Sequence, residues 1–402
     1  MSTQFGFEAL GAGGSGSGLH YLGTWDAATN TPIITSGVGT PGDYYIVSVA
    51  GTTTIDGISD WQVGDWIIFS DTGVWQKIDN SDAGVVVADT GIGSSVRINN
   101  ANCASGNYST ALGYCNTASG YISAILGGCC NTASGQEAIV VGGCQNTSSS
   151  YGSFIGNGRL NTASGYYSTV SSGYANIASG ACSMVGGGTF NTASCYGSTI
   201  SGGRGNTASN YYSTIGGGYQ NTASGAYATV INGVNNIASG GSSIASGLQA
   251  NTFNSEFRIS HSPGAIVTSG DLQKSTFVLG TLTIGLASRK LTTDFSGTYT
   301  LNNHIVLQNN NTFGFTGTIV GKQSGSSNSA MWKVEGLITR GANAASTTLT
   351  FSSVTVVSNA PGWTNPALST ELTYGGLDIT VNATGVNVIW SSYFETTEVI
   401  YA

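Results

Sequence analysis

Asparagine recurs at positions 116, 131, 146, 161, 176, 191, 206, 221, 236 and 251, a spacing of 15 residues without a gap. The unit reads N-T-A-S-G-x-x-S-T-V-x-G-G-x-x, and an earlier, 14-residue unit begins at Asn102. A fixed period of this length is the mark of a chain that stacks one small unit on the next. Counted from its Asn, position 3 is Ala or Ser, position 8 is Ser or Ala, and position 4 is Ser in every full unit. Position 10 is Ile or Val from Ile125 to Val230 and Ala at Ala245. Positions 8 and 10 alternate with 9 and 11, the period of a β-strand. Each unit is therefore read as one coil of a parallel β-solenoid, with small and aliphatic side chains turned inward. Gly near positions 5 and 13 is expected to supply the tight turns, and the stacked Asn to form a hydrogen-bond ladder. At about 4.8 Å per coil, ten coils make a rod about 48 Å long. A core of Ala, Ser and Val is thin, so burial of a second face in a homotrimer is expected.

The repeat explains an unusual composition. Of 402 residues, 61 are Gly and 7 % are charged, with a net charge of −8. Between 98 and 253 the charged residues are Glu137, Arg159 and Arg204. The acidic balance argues against nucleic-acid binding, which needs a basic patch. Five Pro and no Gly-X-Y period exclude collagen, and the 40 % apolar content argues against a disordered chain. No apolar run is long enough to form a transmembrane helix, so membrane insertion is not expected. Residues 1–18 lack a basic segment and an apolar segment, and read as a flexible tether rather than a secretory signal.

The segment A-S-G-N-Y-S-T-A-L-G-Y-C-N-T-A (104–118) matches A-x-G-x-x-S-x-A-x-G. In this it resembles the heads of trimeric autotransporter adhesins. That resemblance implies a left-handed parallel β-roll with three chains around one axis. The later coils depart from it by one inserted residue. Rolls of this type also occur in phage and giant-virus fibre proteins.

The flanks differ in composition. Residues 19–82 hold Trp25, Trp61, Trp66 and Trp75 among short strands and Gly/Asp turns. This segment resembles a small β-module of phage and giant-virus fibre proteins, and GDWIIF…GVWQKI is similar to small chitin-binding modules. Trp66 and Trp75 are read as core. Trp25 and Trp61, with Trp363 and Tyr374 in the C-terminal part, are the candidate glycan contacts, since apolar ring faces grip sugars. Residues 83–101 read as a lead-in that caps the roll. The period breaks in a neck at 254–275, and 276–402 alternate like the strands of an antiparallel, jelly-roll-like β-sandwich. The set SGDLQKSTFVL, MWKVEGLITRG, GLDITVNATG and VIWSSYFETTEV resembles a C-terminal domain of tailed-phage and giant-virus fibres. The expected fold class is thus all-β: N-terminal module, roll at 102–253, C-terminal head.

Chemistry is sparse. His20, His261 and His304 show no ligand spacing, so neither a metal nor a cofactor is expected. Phosphate-loop and nucleophile-elbow motifs are absent. Sugar-cleaving enzymes need paired carboxylates, and Glu137 is the sole acid of the roll. Glu395 and Glu398 read as strand-end residues. The seven Cys all lie in the roll; Cys115/Cys130 and Cys129/Cys144 occupy equivalent places in successive coils, within disulfide reach. The alternative is that a small side chain fits the slot. Tyr at positions 6 and 7 forms outward stripes or packs between chains. These readings converge on a non-enzymatic fibre or spike located on a virion. Its N-terminal region would join tail, baseplate or capsid proteins, and its head would bind host-surface glycan. A virion structural part without a receptor role and a cell-surface adhesin are the alternatives.

Overall fold

The computed structural model describes residues 18–79, 86–87, 90–97, 101–264, 272–285, 288–383 and 385–400. The tether expected at 1–18 lies outside them except for Gly18, as do parts of the lead-in and of the neck, including Asp271. The described chain is all-β apart from one 3₁₀ turn at Ala344–Ser346.

The roll consists of two stacks of two-residue strands. One runs from Cys103–Ala104 to Ile237–Ala238 and carries positions 2 and 3. The other carries positions 9 and 10, from Thr110–Ala111 to Ile244–Leu248. The pairings are parallel and in register, Thr132 with Thr147 and Ile139 with Phe154 for example, with one register shift after Val230 in the last coil. Position 3 Ala and position 10 Ile or Val face one another in a core that is completely shielded from solvent.

Side chains hold the coils together as much as strands do. Each buried Asn accepts, through Oδ1, the backbone N–H of the Asn one coil later, at 2.8–3.0 Å from Asn131 to Asn236. Its Nδ2 donates to two carbonyls. For Asn161 these are Asn157 O at 3.1 Å in its own turn and Gly173 O at 2.9 Å in the next coil. The residue that lengthens the unit from 14 to 15 lies at position 12. In both kinds of unit the Asn amide meets the carbonyl four residues before it, Leu112 O from Asn116 and Gly127 O from Asn131, so the ladders run on undisturbed.

The turns are not built as the glycine pattern suggests. The left-handed residues are mostly at positions 7 and 15, and most are not Gly: Tyr167 has φ 52°, Cys130 φ 54° and Leu160 φ 58°. Such a conformation costs an L-residue about 1–2 kcal/mol. It is held because the N–H of that residue reaches the preceding coil, as Tyr167 N–H to Tyr151 O at 2.9 Å. Gly at position 5 serves close approach instead: a Cβ on Gly165 would lie 2.0 Å from Gly180 O. Gly158, at position 13, meets both demands, with φ +103° and a Cβ position 2.1 Å from Gly173 O.

Beyond the last coil, Ile259–Ser262 continues one stack in parallel and then pairs antiparallel with Leu272–Thr283. The roll thus runs into the head through one ladder. Arg258 sits at this junction, wholly buried. Its guanidinium lies over the rings of Phe253, Phe277 and Phe313 and pairs with the buried Glu398. Glu398 also accepts from Gln273 Nε2 at 2.8 Å and from Thr396 Oγ1 at 2.6 Å. It is a core residue of the junction, not a surface strand end.

The head has a five-stranded antiparallel sheet in the order Leu272–Thr283, Val388–Ile400, Asn311–Gln323, Ser329–Arg340, Thr347–Ser358. A smaller sheet, Arg289–Lys290, Gly376–Val381, Ala367–Glu371, covers one face. Trp332, Trp390, Phe313 and Phe394 of the large sheet share a core with Leu377, Ile379 and Val381 of the small one. This is the expected sandwich with unequal layers. The run HIVLQ is not a strand: Ile305, Val306 and Leu307 are buried as a connection, with a single bridge at Val306. The N-terminal module is a separate four-stranded sheet, with His20–Asp26 parallel to Asp43–Val49 and the rest antiparallel.

Asn161→Ala removes one acceptor and two donors from buried backbone groups, and a loss of about 2–4 kcal/mol is expected. Asn161→Asp, which places a carboxylate against two carbonyls, destabilises further; thermal unfolding of the variants checks the order. At the junction, Glu398→Ala strands a buried cation and is expected to lower stability by about 3–5 kcal/mol. The double change Arg258→Met with Glu398→Met recovers most of that loss in the same measurement.

Candidate functional site

Three of the four proposed glycan contacts are buried. Trp25 and Trp61 have 0 % exposure and meet edge to face at 5.1 Å in the core of the N-terminal module. Their indole N–H groups are bonded, to Asn30 Oδ1 and Thr53 O. Trp363 belongs to a cluster with Trp332 and Trp390 inside the head. A ring enclosed in this way offers no face to a ligand, so these three are withdrawn as contacts. In the module the expected roles are partly reversed: Trp75 is core, but Trp66 is half-buried and stacks on Tyr44 at 5.0 Å. Strand alternation decides this. Ile67 and Phe69 point inward, which turns Trp66 outward.

Tyr374 is half-buried and fixed by its backbone. Its N–H donates to Glu371 Oε2 at 2.6 Å and its carbonyl accepts from Arg340. Beside it lies His304, whose ring stacks on Tyr299 at 4.4 Å and is shielded from water. Burial pushes the His304 imidazole down to about 4.

The roll's edge carries tyrosines that touch from coil to coil, Tyr151 stacked on Tyr166 at 5.1 Å and Tyr212 on Tyr227 at 5.5 Å. Glu137 accepts from Tyr151 Oη at 3.0 Å and so belongs to this row.

The chemically richest surface is the uncovered face of the head's large sheet. Here two adjoining grooves of about 380 and 460 Å³ share Thr316, Glu335 and Glu395. Strand register sets the arrangement. Thr316 pairs with Glu335 on one side and with Glu395 on the other. The two glutamates therefore stand two strand spacings apart, with Cα atoms about 10 Å from each other. Alternation turns Trp332 and Val334 into the core and Lys333 and Glu335 out; Phe394 goes in while Tyr393 and Glu395 line the groove. Tyr393 is 47 % exposed and donates through Oη to Glu395 Oε1 at 2.7 Å. Lys274 Nζ lies 2.7 Å from Glu395 Oε2. Lys274 thereby holds the Glu395 carboxyl below the usual range, with the Tyr393 bond adding to the effect. Gly314 and Gly336 also line the trough, and a Cβ on Gly314 would meet open space. A strand glycine of this kind lets a ligand approach the backbone closely. Exposed ring, hydroxyls and charges of both signs suit a hydroxyl-rich, charged polymer. Among the described residues no group of three or more His, Cys, Asp or Glu is placed to hold a metal ion, and no helix is long and apolar enough to cross a membrane.

No protein-family model and no curated protein matches the chain. Among solved structures it is similar to the tailspike protein gp49 of Acinetobacter baumannii bacteriophage Fri1, a capsular polysaccharide depolymerase. The identity is 9 % and the TM-score 0.21, over 93 % of this chain and 98 % of that one. It is also similar to the tailspike of Acinetobacter baumannii phage AM24, with 9 % identity, a TM-score of 0.20 and coverage of 75 % and 58 %. A third is the tailspike of Acinetobacter phage vB_ApiP_P1, with 8 % identity, a TM-score of 0.19 and coverage of 95 % and 100 %. All three are phage tailspikes. The expectation of a chain without enzymatic activity is withdrawn, because the argument behind it covered the carboxylates of the roll alone. In the head, Glu335 and Glu395 both line the trough.

For His304 the sign of the pH effect is fixed. The unfolded imidazole titrates near its ordinary 6.5, the folded one near 4. Between these values the unfolded state holds the extra proton, so stability falls as pH drops through the window, by roughly 3 kcal/mol in all. Unfolding midpoints measured from pH 7 to pH 4 are expected to fall, and His304→Asn is expected to flatten that slope.

Proposed function

We propose that this chain is a bacteriophage fibre or spike protein, carried on the virion, that attaches to host-surface polysaccharide through the trough on its head. The observation that carries this reading is the Thr316–Glu335–Glu395 surface with the exposed Tyr393 ring, presented at the end of a rigid rod. An apolar ring meets the axial C–H face of a sugar, while Lys274, Lys333 and the carboxylates meet hydroxyls and charged substituents. The chain is proposed to work as a homotrimer, whose three heads on one shaft would gain avidity from effective concentration. The N-terminal region is proposed to dock to tail, baseplate or capsid proteins.

A second reading is favoured by one feature, the two glutamates flanking Thr316. Two carboxylates about 6.5–9.5 Å apart can cleave a glycosidic bond with water between them, one donating a proton to the leaving oxygen and one activating the water. Side chains projecting from Cα atoms two strands apart can reach that separation.

Both readings are tested with the full-length protein and capsular or lipopolysaccharide from candidate hosts. Attachment is expected as saturable binding that Tyr393→Ala weakens about tenfold or more. Binding left unchanged by Tyr393→Ala and by Lys274→Ala would remove the trough as the site. Cleavage is expected as new reducing ends, lost in Glu335→Gln and in Glu395→Gln while polysaccharide is still bound.

A further inference from the structure

Four of the seven cysteines gather on one edge of the first three coils. Cys129 and Cys144 are parallel bridge partners in adjacent coils. Cys115 and Cys130 each stand directly before an Asn of the ladder in successive coils, with matching left-handed φ of 52° and 54°. The four cysteines therefore form a row of two stacked pairs, Cys115 with Cys130 and Cys129 with Cys144, that crosses both coil boundaries. All four are free thiols; Cys130 is exposed and the others half-exposed, so a small oxidant can reach the row.

Geometry selects the pairing. Equivalent positions of stacked coils lie about 4.8 Å apart, inside the Cα separation of about 4.4–6.8 Å that a disulfide spans. A bridge between the neighbours Cys129 and Cys130 would instead close a small ring around a peptide bond that resists leaving its planar trans form. Position in the rod gives the bridges a use. Coils near the end of a solenoid open first, and these three follow directly on the short lead-in strand Ser95–Arg97, which pairs with Thr110–Ala111.

We propose that this row is an oxidation-triggered staple: in oxidising surroundings Cys129 joins Cys144 and Cys115 joins Cys130, locking the first three coils together. The oxidant considered is a small-molecule disulfide such as oxidised glutathione. One protein thiolate attacks it, forming a mixed disulfide and releasing one glutathione thiolate. The partner thiolate then attacks the protein sulfur of that mixed disulfide, and the second glutathione thiolate leaves. Per bridge, two protein thiols are oxidised by two electrons, one glutathione disulfide is reduced to two thiols, and the two thiol protons pass to the glutathiones. Cys144 holds the Cys129 thiol up to about 11, so Cys129 is protonated at neutral pH and exchange at this pair is slow. The chemistry rests on the roll alone. Its timing, assembly as thiols inside a cell and locking outside, rests on the reading of the chain as a virion spike.

The test is thiol counting on the full chain before and after incubation with oxidised glutathione, followed by alkylation, proteolysis and mass mapping of the bridges. Oxidation is expected to leave Cys103, Cys182 and Cys195 as the alkylated thiols, to give the two inter-coil bridges, and to raise the unfolding midpoint reversibly. Cys129→Ser with Cys144→Ser is expected to lose one bridge and part of the rise, while the Cys115–Cys130 bridge persists. Seven thiols remaining, a Cys129–Cys130 bridge, covalent dimers, or bridges without a rise in midpoint would each overturn the staple. None of these outcomes depends on whether the protein binds polysaccharide.

Discussion

The Asn ladder is the interaction on which the rod depends. A coil of 15 residues encloses almost no apolar volume, because position 3 is Ala and the facing side chain is Ile or Val. Hydrophobic burial per coil is correspondingly small. Each coil instead sets one buried amide against three backbone groups, two of them in neighbouring coils. Those groups could not otherwise be satisfied inside a tube this narrow, and an unsatisfied buried polar group is costly. Asn is the residue that fits: it donates and accepts, and Asp or Ser at the same place offers only part of that set.

The same constraint sets the glycine content. Coils joined by side-chain amides must lie close, and Gly158 and Gly165 mark where a Cβ would strike the next carbonyl. The left-handed turns follow as well, since residues such as Tyr167 turn an N–H back to the coil before. What reads as low-complexity sequence is one packing solution repeated. At the head the solution changes. Long strands, three tryptophans and four phenylalanines replace the small residues, and the buried Arg258–Glu398 pair stands where the two kinds of core meet.

Much of this was legible in the sequence. The period of Asn116 to Asn251 yields the coil, its strands and its inward positions, and the alternation of residues 276–402 yields an antiparallel head. The finer errors share a cause: residue type was weighed above strand phase. Tryptophan's affinity for sugars points to Trp25 and Trp61 as contacts, whereas their neighbours in the strands and loops of the module bury them. Glu335 and Tyr393 were passed over although MWKVEG and SSYFET alternate plainly. Their meeting across Thr316 depends on register between strands distant in sequence, which no local pattern carries. Arg258 and Glu398, 140 residues apart, are hidden for the same reason. Roll turns at positions 7 and 15 were missed because Tyr, Cys and Gln are poor signals for left-handed backbone.

Most coils present their neighbours with the same Asn, Ala and Ile or Val contacts. A whole coil can be duplicated or deleted in frame and each remaining coil still finds the partner it had. The module and the head are untouched by such an event. Rod length is thus open to stepwise inheritance, in increments of about 4.8 Å, independently of whatever the head has come to recognise.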